Sequence, residues 1–206
     1  MQAIRLKTEH LFDPMGVNFT APRLYWNCNG GKKQTAYQIV AADDGGSILW
    51  DSGRVESAAM CVKWGGAPVP PKTKVFWQVR LWDEENAAGD WSEVSFETGI
   101  GAWSAKWITG DYKVNKKERY PVDCFRKVFT LSDVKKARLY ITACGLYEAR
   151  LNGQRVGDFV RAPGITDYRK RLQYQTYDVT PLVQTREHTR TVQLADGWYR
   201  GSCGAW

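Results

Sequence analysis

The sequence predicts an all-β chain organised as two tandem β-sandwich domains, and three observations support this fold class. Short segments of alternating apolar and polar residues recur along the 206 residues, and clusters of Gly, Pro, Asn and Asp separate them. The chain contains ten Trp, ten Tyr and seven Phe residues, which supply enough aromatic surface to fill cores between sheets. No apolar pattern of helical period is longer than about two turns. At this length, two domains of about 100 residues each are expected.

The first predicted domain spans residues 1–103. Its strongest strand pattern is residues 75–82, where the side chains at alternate positions are predicted to face a core. Turn signals at residues 43–46 and 84–89 separate neighbouring strands. Short strands at this spacing are typical of an immunoglobulin-like or fibronectin type III-like β-sandwich. The predicted strands are residues 34–40, 47–50, 75–82 and 91–96, with Val75, Trp77, Val79 and Leu81 facing inward.

The second predicted domain spans residues 104–206 and is a jelly-roll-like β-sandwich. It contains an exposed, charged loop at residues 113–122. Asn152-Gly153 is the dipeptide best suited to a type I′ turn, so it predicts a β-hairpin. Further strands are expected after Gly201, so we expect the carboxyl-terminal part of this sandwich to be missing. The other predicted strands are residues 124–129, 137–143, 178–183 (running into a helical turn) and 189–194.

The net charge of +7 comes from 29 Lys and Arg residues against 22 Asp and Glu residues, and it is spread along the chain. A nucleic-acid-binding domain more often concentrates its positive charge on one element, so we predict no nucleic-acid partner. The densest basic runs include residues 135–138 and 169–171. They are interpreted as solvated loops and strand edges, with a patch for an acidic polysaccharide as the alternative.

Five cysteines, at positions 28, 61, 124, 144 and 203, are odd in number and form no CxxC pair. This spacing disfavours zinc and a complete disulfide framework, so it indicates a reducing compartment. No apolar run reaches the length of a membrane span, and the start of the chain lacks the apolar region of a signal peptide. The sequence therefore predicts a cytoplasmic protein without a membrane partner.

The sequence offers no catalytic residues. Only two histidines, His10 and His188, are present, and neither lies near a Gly-x-Ser-x-Gly motif or a patterned cysteine. Acidic residues are abundant, but no pair of carboxylates stands out as the couple that glycoside hydrolysis requires. The Gly30-Gly31 and Gly65-Gly66 pairs are not followed by a helix, so they are interpreted as turns and not as phosphate loops.

Polar and aromatic loops in the second domain form the candidate binding site. Aromatic rings offer apolar faces to the C–H groups of sugars, and Asn and Asp side chains hydrogen-bond sugar hydroxyls. A structural explanation remains open for several of these residues: the turn alone accounts for Asn152, and Trp198 and Tyr199 are also compatible with a core. A Ca²⁺ ion held by loop carboxylates is left open, although no EF-hand pattern is present. The candidate carbohydrate-binding residues are Asn152, Asp167, Tyr168, Asp196, Trp198 and Tyr199.

These motifs resemble the amino-terminal modules of bacterial α-L-rhamnosidases, glycoside hydrolase family 78, over nearly the whole chain. The second domain resembles their amino-terminal β-sandwich module, and the first resembles the fibronectin-like module that precedes it. The motifs in the second domain are residues 151–158 (LNGQRVGD), 163–171 (PGITDYRKR), 174–180 (YQTYDVT) and 196–201 (DGWYRG). Those in the first are residues 34–39 (QTAYQI), 49–53 (LWDSG), 77–83 (WQVRLWD) and 91–93 (WSE).

The resemblance implies hydrolysis of terminal α-L-rhamnosyl bonds with inversion, by two carboxylates on a large (α/α)₆ barrel further along the chain. That barrel is absent here, so no catalytic residue is carried over and this chain alone is expected to be inactive. In some relatives the second sandwich binds rhamnose and coordinates Ca²⁺. By similarity, Asn152 and residues 196–204 lie near where such a site would form. Many relatives carry Trp at the position of Ile165, and losing that ring weakens the expectation of sugar stacking there.

Two hypotheses follow from the sequence. In the first, the chain is a non-catalytic amino-terminal fragment that scaffolds the catalytic domain of a rhamnosidase and guides rhamnose-containing glycosides or polysaccharides towards it. The alternative is a purely structural or protein-interaction pair of sandwiches without a sugar site. A homo-oligomer is left open, and self-association of a sugar-blind chain through exposed strands would favour the alternative.

Overall fold

The computed structural model describes residues 1–113, 115, 118 and 120–201. The chain divides into two compact units, Met1–Trp103 and a second that begins at Ser104. The described residues form fifteen β-strands, one 3₁₀ turn and one four-residue α-helix. The all-β prediction is confirmed. Parts of two predicted loops, residues 114, 116, 117 and 119 of the charged loop and 202–204 of the carboxyl-terminal one, lie outside the described residues.

Two sheets form the first unit. One has the strand order β1-β3-β7, and the other has the order β2-β9-β8-β4-β5, with β6 also pairing with β4. Buried side chains from both sheets, such as Trp26 and Trp77, belong to one core cluster, which is the arrangement of a β-sandwich. The strands are β1 (Gln2–Thr8), β2 (Met15–Val17), β3 (Arg23–Asn29), β4 (Ala36–Asp43), β5 (Ile48–Asp51), β6 (Val55–Glu56), β7 (Cys61–Lys63), β8 (Lys74–Trp82) and β9 (Ser92–Thr98).

Strand β8, which has the strongest strand pattern in the sequence, lies in the middle of its sheet. It pairs antiparallel with β4 on one side and β9 on the other. The four side chains predicted to face the core are completely buried. Trp82, at the end of the strand, is also buried, because the guanidinium groups of Arg54 and Arg80 cover its ring at 4.9 and 4.8 Å from the centroid.

The sequence analysis assigned no strand to residues 1–33, where the structure has three. Strand β1 explains the omission. Its register shifts between Ile4 and Lys7, and Arg5 lies in the left-handed region at φ 54°. The bulge puts Ala3, Leu6 and Thr8 on the core side, so the period of two that identifies a strand is interrupted.

Two sheets also form the second unit, with the strand orders β10-β15-β12-β13 and β11-β14. Their inner faces share a core that includes Ala149, Leu151 and Val179. The strand predicted at residues 178–183 lies earlier in the chain, at Gln175–Asp178, and the expected helical turn is a 3₁₀ turn at Thr180–Leu182. The elements are β10 (Asp123–Thr130), β11 (Arg138–Ile141), β12 (Leu146–Leu151), β13 (Gln154–Arg155), β14 (Gln175–Asp178), β15 (Glu187–Ala195) and the helix α1 (Gly197–Arg200).

The predicted hairpin joins β12 to β13. Asn152 and Gly153 both have positive φ, 53° and 82°, which is the requirement of a type I′ turn. None of the described residues belongs to a helix that could cross a lipid bilayer.

Candidate functional site

Four of the six predicted binding residues line one open pocket in the second unit. The pocket has a volume of about 610 Å³, within the range of roughly 300–1,000 Å³ that is typical of small-molecule sites. The two segments that form it are the loop before β14 and the helix α1. Its lining residues are Ile165, Thr166, Asp167, Tyr168, Arg169, Trp198 and Tyr199.

The base of the loop before β14 is held by hydrogen bonds from Tyr147 and Gln175. The Tyr147 amide donates a hydrogen bond to the carbonyl oxygen of Ala162 at 2.8 Å, and the Gln175 side chain donates one to the carbonyl oxygen of Pro163 at 3.1 Å. The Gln175 side chain accepts in turn from the Tyr147 hydroxyl at 2.8 Å. The hydrogen bonds to the two carbonyl oxygens fix the backbone at the base of the loop, directly before the residues that line the pocket.

A tight turn forms the tip of this loop. The carbonyl oxygen of Asp167 accepts hydrogen bonds from the amides of Lys170 and Arg171 at 2.8 and 2.9 Å. The Asp167 carboxylate accepts from the Arg169 side chain at 3.1 Å and from the Arg169 amide at 3.2 Å. These hydrogen bonds with Arg169 lower the pKa of Asp167 and raise that of Arg169, so the pair stays ionised at neutral pH.

Aromatic side chains from the two segments meet in the pocket. The rings of Tyr168 and Tyr199 pack edge to face, with centroids 5.4 Å apart. Trp198 is half-buried, whereas Tyr199 is 52% exposed. Burial raises the pKa of Tyr168, whose hydroxyl therefore remains protonated. The pocket thus combines aromatic rings with one ion pair at its rim.

Helix α1 carries two of these rings, and glycines allow its close approach to β12. Gly145 has φ 132°, and a Cβ atom there would lie 2.3 Å from the carbonyl oxygen of Ala195. Gly197, at φ 51°, leaves no room for a Cβ against Leu146. Only glycine fits both positions, so these two glycines allow α1 to pack where its rings line the pocket.

Asp196 does not line the pocket. Its carboxylate forms an ion pair with Arg200 at 2.6 Å, one helical turn away. Arg200 also lies 3.4 Å from the Tyr112 hydroxyl and 3.8 Å from the Asp123 carboxylate. Hydrogen bonding to Tyr112 and the charge of Asp196 raise the pKa of Arg200. Asp196, predicted to contact sugar, therefore lies outside the pocket and holds an arginine of its own helix.

Asn152 is also placed elsewhere, with its side chain used inside the fold. Its Oδ1 accepts from the Thr189 amide at 3.0 Å, and its Nδ2 donates to the Leu182 carbonyl oxygen at 3.2 Å. The same Nδ2 lies 2.8 Å from Nδ1 of His188, a side chain that is 1% exposed. Nε2 of His188 lies 2.7 Å from the Gln184 carbonyl oxygen and 3.2 Å from the Gln184 amide nitrogen. Because a carbonyl oxygen can only accept, the shorter contact assigns the proton to Nε2, and in that tautomer Nδ1 accepts from Asn152. Asn152 therefore joins the hairpin to β15, and both of its amide protons are engaged within the fold.

The donor set at the pocket does not favour calcium. Ca²⁺ takes six to eight oxygen ligands, usually with several carboxylates among them. Asp167 and Asp196 each hold an arginine instead. Within the described part of the chain, no group of three His, Cys, Asp or Glu residues could hold a metal ion.

Nor does the pocket contain the pair of carboxylates that glycoside hydrolysis uses. Asp167 is the single acidic residue among its lining residues. The arrangement can bind a ligand through aromatic faces and hydrogen bonds, which is the chemistry of a recognition site.

Sequence reasoning missed three lining residues, Ile165, Thr166 and Arg169. Thr166 donates from its hydroxyl to the Arg171 carbonyl oxygen at 2.5 Å, which closes the turn at the tip of the loop. Arg169 could have been found from its position two residues after Asp167, where a cation reaches the carboxylate of a turn. Ile165, which is 60% exposed, has an aliphatic side chain that offers no hydrogen bond and no ring, so its residue type gave no signal of a binding site.

Two family profiles match the chain and decide its family. One is described as Rha78A-like, N-terminal immunoglobulin domain, and matches residues 3–102. The other is described as Alpha-L-rhamnosidase N-terminal domain, and matches residues 132–206. The chain consists of the two amino-terminal domains of α-L-rhamnosidases. Each domain matches one of its two units, and the resemblance given by the sequence motifs is confirmed.

The curated relatives are similar to this chain over a fraction of their own length. An α-L-rhamnosidase of Formosa agariphila is 37% identical over 217 residues, which cover 96% of this chain and 23% of the relative. An α-L-rhamnosidase of Alteromonas sp. (strain LOR) is 33% identical, over 94% of this chain and 23% of the relative. The chain thus spans about a quarter of the curated relatives that it matches.

Solved structures of α-L-rhamnosidases share its fold. The enzyme from Dictyoglumus thermophilum matches with a TM-score of 0.87 and 35% identity, over 97% of this chain and 25% of that one. The native enzyme from Aspergillus terreus matches with a TM-score of 0.90 and 33% identity, over 99% and 25%.

Proposed function

We propose that this chain is a non-catalytic part of an α-L-rhamnosidase and that its pocket binds rhamnosylated carbohydrate for the catalytic domain. One observation carries the proposal: the pocket gathers Asp167, Tyr168, Trp198 and Tyr199, four residues chosen from sequence for sugar contact, from two separate segments. The family supplies the substrate class, because the curated relatives are α-L-rhamnosidases.

The expected affinity for one sugar ring is low. L-Rhamnose has about 11 non-hydrogen atoms, and at roughly 0.3–0.4 kcal/mol per atom the binding free energy is near −4 kcal/mol, a Kd of about 1 mM. Titration calorimetry or saturation-transfer NMR with L-rhamnose up to tens of millimolar should therefore detect binding. A glycoside that extends beyond one ring should bind more tightly, because it can contact both segments.

The decisive comparison is between two tryptophans of the second unit. Trp198→Ala should abolish rhamnose binding, because it removes a ring from the pocket. Trp107→Ala is the matched control, since this side chain is 64% exposed and does not line the pocket. Loss of binding in both variants, or in neither, would contradict the assignment. Absence of binding by the unchanged chain would reject the sugar site itself.

A gain of affinity offers a second test at Ile165. This exposed side chain lines the pocket at the position where many relatives carry Trp. An aromatic contact contributes about 0.5–1.5 kcal/mol, so Ile165→Trp should tighten rhamnose binding by roughly 2- to 12-fold. Ile165→Leu keeps the apolar character without the ring and should leave the affinity unchanged.

Calcium should have no effect on this binding. The titration repeated with Ca²⁺ and then with a chelator should give the same affinity, because both candidate carboxylates are held by arginines. A chelator that abolished binding would show that a metal site had been missed.

The alternative proposal, a structural pair of sandwiches without a sugar site, is favoured by Asn152 and Asp196. Both were chosen for sugar contact, and both use their side chains inside the fold. Under this alternative, the chain would serve the catalytic domain by packing alone. The Trp198→Ala comparison separates the two proposals.

Two further parts of the proposal need their own measurements. The isolated chain should not hydrolyse 4-nitrophenyl α-L-rhamnoside, because its pocket has one carboxylate. Turnover above the uncatalysed rate would refute the non-catalytic role.

The cytoplasmic location predicted from the cysteines also stays a proposal, and cell fractionation with an antibody to this chain would test it.

A further inference from the structure

A cysteine, a tyrosine and a histidine form a chain of hydrogen bonds on the outer face of the first unit, and the proposed function does not use them. Cys61 lies on β7 directly opposite Tyr25 of β3, and the two side chains are hydrogen-bonded. The Tyr25 hydroxyl also lies 2.9 Å from Nε2 of His10. Because its neighbours Leu24 and Trp26 are buried in the core, Tyr25 faces away from that core.

The turn after β1 places the histidine. Its flanking residues exchange backbone hydrogen bonds at 2.9 and 3.0 Å, so Glu9 and His10 form a two-residue turn in which both have positive φ, 49° and 66°. Asn and Gly are the usual residues of such turns. Here both side chains are used instead: Glu9 forms an ion pair with Arg23 at 2.7 Å, and the His10 ring packs on Tyr25 with centroids 4.2 Å apart. The turn therefore holds the imidazole against the tyrosine.

The Cys61 sulfur is accessible, because this residue is exposed and β7 is the edge strand of its sheet. A thiol becomes a good nucleophile only when its proton is removed, which needs a base within reach of a hydrogen bond or of a bridging group. Partial burial and the hydrogen bond with Cys61 raise the pKa of Tyr25, so its hydroxyl keeps a proton at neutral pH. That hydroxyl can accept a proton from the sulfur while it passes its own to His10.

A second exposed cysteine offers a comparison within the same molecule. Cys124 lies on β10, and its sulfur lies 3.9 Å from the carbonyl oxygen of Val122. A carbonyl oxygen is a hydrogen-bond acceptor but takes no proton at neutral pH. Cys124 thus has the exposure of Cys61 without the base.

We propose that Cys61 is a modification site for small disulfides such as glutathione disulfide, with His10 as the base and Tyr25 as the bridge between them. The Cys61 sulfur attacks one sulfur of the disulfide, whose S–S bond breaks as a mixed disulfide forms. The thiol proton passes to the Tyr25 oxygen while the Tyr25 proton passes to Nε2 of His10. The departing thiolate takes up that proton, so one small thiol is released for each cysteine modified.

The small disulfide is itself the oxidant in this step. One of its sulfur atoms is reduced to a thiol, and Cys61 is oxidised to the mixed disulfide. The proposal does not rest on the sugar site, which lies in the second unit.

The test incubates the full chain with glutathione disulfide at about pH 7, and mass spectrometry follows the mixed disulfide at each cysteine. General base assistance contributes about 100-fold or more in active sites, and at this open strand edge we expect Cys61 to react roughly tenfold faster than Cys124. The difference should fall below about twofold at about pH 10, because a thiol with the ordinary pKa of about 8.5 ionises there without a base. Equal rates at neutral pH, or a faster Cys124, would overturn the proposal.

Variants of the two bridging side chains test the relay. His10→Asn suits a position with φ 66° and removes the imidazole, whereas Tyr25→Phe keeps the ring and removes the hydroxyl. Each should slow Cys61 roughly tenfold, and the double variant should be no slower than either, because both changes break one path. His10→Gln presents an amide that takes no proton, so it should not restore the rate. Cys124 is the internal control, and its rate should not change in any variant.

Other results would contradict the relay. Losses that multiply in the double variant, a fast His10→Gln protein, or a loss that persists at high pH would show that these side chains only shape the surface around Cys61. Urea unfolding of the first unit checks each variant. The two His10 variants decide the proposal by themselves if Tyr25→Phe does not fold.

Discussion

Removing the side chain of Asn152 tests whether the hairpin is held to β15 by the carboxamide or by the turn alone. Asn152→Gly keeps a residue that readily adopts φ 53°, so it removes the side-chain hydrogen bonds without adding backbone strain. Those hydrogen bonds join Asn152 to Leu182, His188 and Thr189. Because His188 is buried, its Nδ1 cannot recover a water molecule as a partner.

The cost follows from these hydrogen bonds. Leaving a buried acceptor without its donor costs about 1–3 kcal/mol, and each of the two more exposed hydrogen bonds contributes about 0.5–1.5 kcal/mol. We expect the free energy of unfolding of the second unit to fall by about 2–6 kcal/mol. This corresponds to a roughly 30- to 20,000-fold increase in the equilibrium constant for opening.

Native-state hydrogen exchange measures this effect within one sample. The slowest amides of β12 and β15 should exchange faster by that factor, and the amides of β4 and β8 in the first unit serve as the internal control. Asn152→Asp tests the contact with the Leu182 carbonyl oxygen, since it keeps the acceptor for the Thr189 amide but removes the amide protons. It should also destabilise the unit at neutral pH, because that carbonyl oxygen loses its donor. A change below about twofold in β15, or an equal change in β4, would refute the reasoning.

Three further predictions concern other parts of the fold. Thr8→Val should destabilise the first unit by about 1–3 kcal/mol in urea unfolding followed by fluorescence, because it leaves the buried Trp77 indole N–H without its acceptor at 3.1 Å, whereas Thr8→Ser should restore most of the stability. The hydrogen bond from Arg23 lowers the pKa of Glu9 below its ordinary 4.5, so the stability that this pair adds is present above pH 4.5 and is lost as the pH falls through the lowered value; Glu9→Gln should flatten that acid limb in thermal unfolding. Gly145→Ala should prevent soluble expression or sharply lower the melting temperature of the second unit, because the added Cβ would meet a backbone carbonyl oxygen of β15.

The sequence predicts those strands in which one physical cause dominates. In β8, burial on one face alone sets the pattern, and all four inward side chains are where a period of two places them. At Asn152-Gly153, the need for two residues with positive φ sets the turn. In β1, two causes compete, because the bulge at Arg5 changes which side chains face the core. A periodicity measured along the chain cannot show this, since the register shift depends on pairing with β3.

Binding residues are harder to predict, because the sequence shows which groups can form hydrogen bonds but not which partners already use them. Asn152 and Asp196 have the right chemistry for a sugar hydroxyl, yet His188 and Arg200 occupy them. His188 is 36 residues away from Asn152 in sequence, and Arg200 reaches Asp196 only because the intervening residues form a helical turn. Composition and spacing therefore do not show that these two side chains already have partners.

Aromatic binding residues are easier to predict, because an internal contact does not use up the whole side chain. A ring can pack against a neighbour with its edge and still offer a face to a ligand, as the edge-to-face contact of Tyr168 and Tyr199 shows. A carboxamide or carboxylate that is already engaged by internal partners has much less to offer. This difference fits the three aromatic residues Tyr168, Trp198 and Tyr199, which all line the pocket, and it fits Asn152 and Asp196, which do not. Asp167 departs from it, because it lines the pocket although Arg169 holds its carboxylate. The difference also identifies Trp198 as the first residue to substitute, because its loss tests recognition without removing an internal hydrogen bond that holds the fold.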